Sequence, residues 1–127
     1  MATVKVESSA GPLDSVDVDT FVGAMRVQAA AVNLVTSNGP AGRTGVTVSA
    51  MTSVSAEPPL ILACVNRRSP SVTVIRQNGV FCINALSAEQ SELANTFAGR
   101  PSSGEPFDFG SAEWTNLTTS APALVDA

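Results

Sequence analysis

The apolar positions of the chain change period several times, and each change marks an element. Phe21, Met25, Ala29 and Val32 recur at helical spacing behind Asp17 and Asp19, either of which can cap a helix. Val32, Leu34, Val35 and Thr36 then read as a short strand, and residues 37–42 (Ser-Asn-Gly-Pro-Ala-Gly) as a hairpin connection. Those glycines lack the Gly-Lys-Ser/Thr ending of a nucleotide-binding loop. From 45 to 55 the period is two. Val46, Val48, Ala50, Thr52 and Val54 share one face of the predicted strand, and Thr47, Ser49, Met51, Ser53 and Ser55 share the other.

Glu57-Pro58-Pro59 breaks that strand, and the continuous apolar run 60–65 predicts a second, buried one. Ser69 as N-cap and Pro70 at the first helical position open a helix that turns Val72 and Ile75 inward and stops at Asn78-Gly79. Residues 80–86 predict a further strand. Ser87-Ala88-Glu89-Gln90 has the form of a capping box, opening a helix with Leu93, Ala94 and Phe97 inward and Gly99 at its end. The tail from Arg100 to about Ser120, rich in Pro, Gly, Ser and Thr around Phe107, Phe109 and Trp114, predicts an extended loop with one strand at 113–117. Residues 1–13, polar and ending in Gly11-Pro12, are expected to form a flexible leader to one domain over 14–127.

Composition narrows the function. At 127 residues, 44% hydrophobic and 14% charged, the chain can build one core and is not a disordered polymer. A net charge of −4 argues against a nucleic-acid partner, and no apolar run approaches the ~20 residues of a membrane span. The N-terminus lacks a basic region followed by an apolar run, so a cytoplasmic protein is expected and the sequon Asn116-Leu117-Thr118 is expected to go unused. Cys64 and Cys82 lie in apolar runs without C-x-x-C spacing, which predicts buried reduced thiols and no metal. There is no histidine and no tyrosine. Ser-His-Asp and Cys-His mechanisms are thereby excluded, so either the protein is not an enzyme or a bound group carries the chemistry.

Two constellations could hold such a group. In Asn66-Arg67-Arg68-Ser69-Pro70, two guanidinium groups precede a helix start, an arrangement suited to a phosphate. The hydroxyls of Thr47, Ser49, Ser53 and Ser55 could serve the polar edge of a flat ring. A solvated loop before an ordinary capped helix, and a Ser/Thr-rich strand facing water, account for the same residues, and the residues alone leave both readings open. Asn84 inside an apolar strand, and Arg100 after the second capped helix, are further candidates with equally plain structural readings.

Residues 45–69, GVTVSAMTSVSAEPPLILACVNRRS, resemble the core signature of the flavin reductases of the FMN-binding split-barrel group, the reductase components of two-component flavin-dependent monooxygenases. AMRVQAAAVNLVTSNG, GVFCINALSAEQSELANTFAG and WTNLTTSAPALVDA resemble the family's flanking segments in order, so the resemblance covers roughly residues 20–127. It implies a mainly β fold with short helices, a Greek-key split β-barrel, truncated here at its C-terminus. The family continues into further strands with a Gly-Asp-His segment, whereas this chain stops at Ala127. The resemblance also implies FMN or FAD as cofactor, NADH or NADPH as hydride donor, a homodimer and a monooxygenase partner. By matching position it implies flavin contacts from Thr47, Val48, Ser49, Ala50, Met51, Ser53 and Val54 along the ring and ribityl chain. Arg68 and Ser69 come near the phosphate, with Ile75 on the following helix and Arg100 beyond the Phe-Ala-Gly turn. No side chain is assigned as catalytic. The alternatives are a flavin-binding module or inactive fragment without turnover, and a non-binding remnant that associates with a complete homologue.

Overall fold

The structure, a computed structural model, describes residues 14–127; the expected leader lies outside the described residues. The chain divides into two units, Met1–Ala30 and Ala31–Ala127.

In the first unit, helix α1 spans Val18–Arg26. Asp17 caps it. Its carboxylate accepts from the Thr20 hydroxyl at 2.6 Å and the Thr20 amide at 2.9 Å, and these bonds hold its pKa below the ordinary range. The helix stops short of Ala29 and Val32, which the apolar spacing had placed on it. The amide of Gln28 closes a tighter turn onto Met25 O, and Val32 is claimed by strand pairing, its carbonyl accepting from the Leu86 amide at 3.0 Å.

The second unit is built on a three-stranded antiparallel sheet of β2 (Thr44–Val48), β1 (Asn33–Ser37) and β5 (Cys82–Ala85), in the order β2-β1-β5. β1 is central, and all five of its residues are buried. Alternation along β1 assigns its two faces different covers. Helix α2 (Ser71–Asn78) reaches the face of Ser37 and Thr44, through Asn78 to Ser37 at 3.0 Å and Ser71 to Thr44 at 2.7 Å. Helix α3 (Ser91–Phe97) reaches the face of Leu34 and Thr47. The predicted stops hold: Gly79 caps α2 at φ 69°, in the left-handed region where glycine is unstrained. The predicted capping box also forms, Ser87 and Gln90 opening a 3₁₀ turn that runs into α3.

Three expectations change. The strand expected over 45–55 is two strands in two sheets. β2 ends at Val48, where its partner β1 ends at Asn33. After a bend closed by Met51 N–H to Ser49 O, β3 (Met51–Ala56) pairs instead with β4 (Pro59–Ala63). A register shift between Ser53 and Ser55 breaks the alternation again, so the hydroxyls do not form one row. The run 60–65 is not buried. Leu60, Ile61 and Leu62 are 52%, 44% and 52% exposed and Cys64 is exposed, because β3 and β4 pack chiefly on each other. Cys82 is half-buried, and burial pushes its thiol up. The third change is an added strand. The expected strand forms as β6 (Trp114–Asn116), and it pairs with β7 (Pro122–Leu124), which lies beyond the tail assigned from the sequence.

Below α3 lies an aromatic cluster. Phe97 is fully buried, with ring centroids 4.9 Å from Phe109 and 6.0 Å from Trp114, both edge-on. Gly45 is what lets α3 approach: a Cβ there would come within 2.8 Å of the Phe97 ring. Asn84 joins the sheet to β7. Its amide group donates to Leu34 O at 3.1 Å and Thr36 Oγ1 at 3.2 Å, and its carbonyl accepts from the Leu124 amide at 2.7 Å. The architecture is mainly β with short helices, as expected, and none of the three sheets closes into a barrel among the described residues. No helix among them is long and apolar enough to cross a membrane.

The segment after α3 is tied back by Glu92, whose carboxylate accepts from the Ser102 amide at 2.6 Å and hydroxyl at 2.7 Å. Those bonds lower its pKa. A depressed carboxyl pKa gives an anchor that is complete above the ordinary glutamate range and lost as pH falls through the depressed value. The Ser102 amide resonance should therefore titrate below the range of an ordinary glutamate. A resonance that stays flat under acid would show that Glu92 does not hold this loop.

Candidate functional site

The bend between β2 and β3 is the centre of the expected site. Ser49 and Ala50 are exposed at it, Met51 is half-buried, and Ser53 and Val54 are exposed along β3. The two preceding residues are committed inward. Val48 is buried, and the Thr47 hydroxyl donates to Ala94 O on α3 at 2.6 Å.

Chain pairing brings the second constellation to this bend. The Cys64 amide donates to Ala50 O at 2.9 Å, so the chain leads from the bend through β4 into residues 66–69. Asn66 organises that loop, its side chain accepting from the Arg68 amide at 2.9 Å and its carbonyl from the Ser69 amide at 2.8 Å. Ser69 then serves the start of α2: its hydroxyl accepts from the Ser71 amide at 3.3 Å and its carbonyl from the Val72 amide at 3.2 Å. The helix begins at Ser71 with Pro70 rather than Ser69 at the cap position, and Ser69 contributes only the hydroxyl that accepts from the Ser71 amide. Arg67 and Arg68 project into solvent, and Ile75 is half-buried on α2.

Ser49, Ala50 and Met51 at the bend and Arg68 and Ser69 before α2 are thus linked through the pairing of Cys64 with Ala50. The corner offers hydroxyls, strand-end backbone groups, a helix start and an exposed cation, which can hold an anion next to a flat ring. Thr47 and Val48 lie behind that corner. Arg100 follows α3, exposed, with its amide bonded to Asn95 O at 2.9 Å. Asn84, the remaining candidate, is structural, with its polar atoms spent on the sheet and β7.

Sequence reasoning missed Arg43. Its guanidinium lies 4.4 Å over the Phe109 ring, on a cleft of about 510 Å³ that Thr44, Ser71, Phe107 and Asp108 also line. The separation of Arg43 and Phe109 by more than sixty positions left no local signal.

Residues 25–127 match the family described as Flavin reductase like domain. The chain is 43% identical over 121 residues to FMN reductase (NADH) RutF 1 of Methylorubrum extorquens. That match takes in 95% of this chain but spans only 58% of the relative's length. Among solved structures, the chain resembles BorF, the flavin reductase component of a bacterial two-component tryptophan halogenase, with TM-score 0.73 and 29% identity over 86% of this chain and 68% of that one. It also resembles the NADH:FAD oxidoreductase SgcE6 of Streptomyces globisporus C-1027 in complex with NAD and FAD fragments, with TM-score 0.67 and 29% identity over 91% of this chain and 69% of that one.

Proposed function

Since the chain belongs to the family of flavin reductase like domains, we propose that it binds FMN or FAD and promotes hydride transfer to it from NADH or NADPH, supplying reduced flavin to a flavin-dependent monooxygenase. The relatives' names favour FMN and NADH. The observation that carries this reading is the corner itself, where the bend at Ser49-Ala50 and the loop Asn66–Ser69 meet through the bond from Cys64 to Ala50.

The residues present fit a flavin. Arg68 and the backbone at the start of α2 would hold the phosphate. Ser49 and Ser53, with Ala50, Met51 and Val54, would flank the ring and ribityl chain, and Thr47, Val48 and Ile75 would support them from behind. Arg100 would contribute a second cation from the end of α3. A bound flavin supplies the hydride-accepting ring. The protein's part is to fix that ring's position, leave one face open to a nicotinamide and exclude misaligned encounters.

The exposed Leu60, Ile61 and Leu62 on β4 support a homodimer in which a second copy covers the β3–β4 hairpin, and the split-barrel reading has further strands closing the sheets. Two free cysteines suit the reducing cytoplasm, where we place the protein.

An anaerobic assay with FMN or FAD and NADH or NADPH, following flavin bleaching together with loss of nicotinamide absorbance, tests the reading. Turnover supports it. Flavin binding without nicotinamide oxidation would reduce the chain to a binding module, and neither signal would remove the flavin reading. Arg68→Ala is expected to weaken flavin binding by about 1.5–3 kcal/mol, the worth of a charge-assisted hydrogen bond. Unchanged affinity in a fluorescence titration would take Arg68 out of the site.

A further inference from the structure

Two asparagines of the chain precede a glycine: Asn38-Gly39 in the turn after β1, and Asn78-Gly79 at the end of α2. Such a pair is chemically labile. A glycine leaves its amide nitrogen unshielded for attack on the amide carbon of the preceding side chain.

The fold treats the two pairs differently. Asn78 is locked. Its Nδ2 donates to Ser37 Oγ at 3.0 Å and to Gly42 O at 2.8 Å, and its Oδ1 accepts from the Ala41 amide at 2.8 Å. The Gly79 amide, whose nitrogen would attack, is committed to Ile75 O at 2.9 Å. The Asn78 side chain also packs against Gly39, where an added Cβ would come within 2.9 Å of Oδ1. Reaction at Asn78 therefore requires the end of α2 and the turn 38–42 to open together. Asn38 has no such restraint. It is half-buried, its side chain makes no hydrogen bond among the described residues, and the Gly39 amide donates to none of them. What is fixed is the Asn38 carbonyl, which accepts from Ser120 Oγ at 2.7 Å.

We propose that Asn38 is a site of spontaneous deamidation in the folded chain, and that Asn78, with the same dipeptide, is protected from it. The Gly39 nitrogen gives up its proton to solvent and bonds to Cγ of Asn38. The Cγ–Nδ2 bond breaks, Nδ2 takes up a proton and leaves as ammonia, and a succinimide ring remains. Water then adds to one of the two ring carbonyls, and the ring opens to aspartate or isoaspartate at position 38. Nothing is oxidised or reduced, and water is the sole co-reactant. Each conversion adds one negative charge to a chain of net charge −4. The isoaspartate product also reroutes the backbone through the side chain, and the carbonyl that holds Ser120 becomes a pendant carboxylate.

The test is incubation of the chain in mildly alkaline buffer, folded and in urea, followed by tryptic peptide mapping. Mass spectrometry reads the exchange of ammonia for water, fragment ions locate it, and isoaspartyl methyltransferase counts the isoaspartate. Residues 27–43 and 77–127 fall on separate peptides, since Pro101 blocks cleavage after Arg100. In urea, Asn38 and Asn78 should convert at similar rates. In the folded chain, Asn38 should convert at a rate comparable to that in urea, and Asn78 at least tenfold more slowly than in urea. Asn38→Gln should abolish conversion of the 27–43 peptide, which also holds Asn33. A folded chain in which Asn38 is as resistant as Asn78, or in which Asn78 converts as fast as Asn38, overturns the proposal. Conversion of the 27–43 peptide that persists in Asn38→Gln overturns it as well.

Discussion

Phe97→Ala is expected to cost about 3–5 kcal/mol, the range for truncating a fully buried aromatic side chain. The site cannot collapse to absorb the loss. One wall is backbone at Gly45, and two others are the rings of Phe109 and Trp114, themselves 5.0 Å apart and fixed by the bond from Trp114 Nε1 to Phe109 O at 2.8 Å. Against total stabilities of about 5–15 kcal/mol for small domains, such a loss removes a large fraction of what holds the chain folded. Urea unfolding followed by the fluorescence of Trp114, the sole tryptophan, measures it directly. A loss below about 1 kcal/mol would mean that the aromatic cluster does not hold α3 to the sheet.

Asn84→Ala should be the second most damaging change, at about 2–4 kcal/mol. Three hydrogen bonds disappear, and the Leu124 amide and Leu34 carbonyl lose a partner in a buried setting. An unsatisfied buried group costs about 1–3 kcal/mol, more than the net worth of the bond itself. The variant should also release β7, since the Leu124 amide is the direct link between Asn84 and that strand. Accelerated exchange at residues 122–124 would accompany the lower urea midpoint. Loss of stability with β7 still protected would assign the strand's attachment to the Thr36–Pro122 bond instead.

Asn84 also shows where reading the sequence succeeded and where it stopped. An asparagine inside an apolar strand is visible as an anomaly, but its partners lie 40 to 50 positions away, so the sequence cannot separate a structural bridge from a ligand. Local signals held where the physics is local: Asp17 capping α1, the Ser87–Gln90 capping box and Gly79 ending α2. They failed where tertiary pairing decides. The period-two pattern across 45–55 continues through Ser49-Ala50, but β1 does not extend far enough to partner it, and the chain turns away. β7 was invisible because three residues beginning with proline carry almost no strand signal. For the site, residues 49–51 and Arg68-Ser69 were both legible as candidate segments, but the bend at Ser49-Ala50 and its bond from Cys64 were not.

The β3–β4 hairpin has a kinetic consequence. Its two strands are held chiefly by each other, and their leucines and isoleucine face water. It should therefore open as a unit of its own, well below the free energy needed to unfold the central sheet, and expose the peptide bonds around Glu57 to proteases in the process. Limited proteolysis then becomes a reporter of occupancy. Whatever covers the hairpin in the working protein will slow cleavage there without changing the protection of β1, and the concentration at which it does so gives the affinity of that contact.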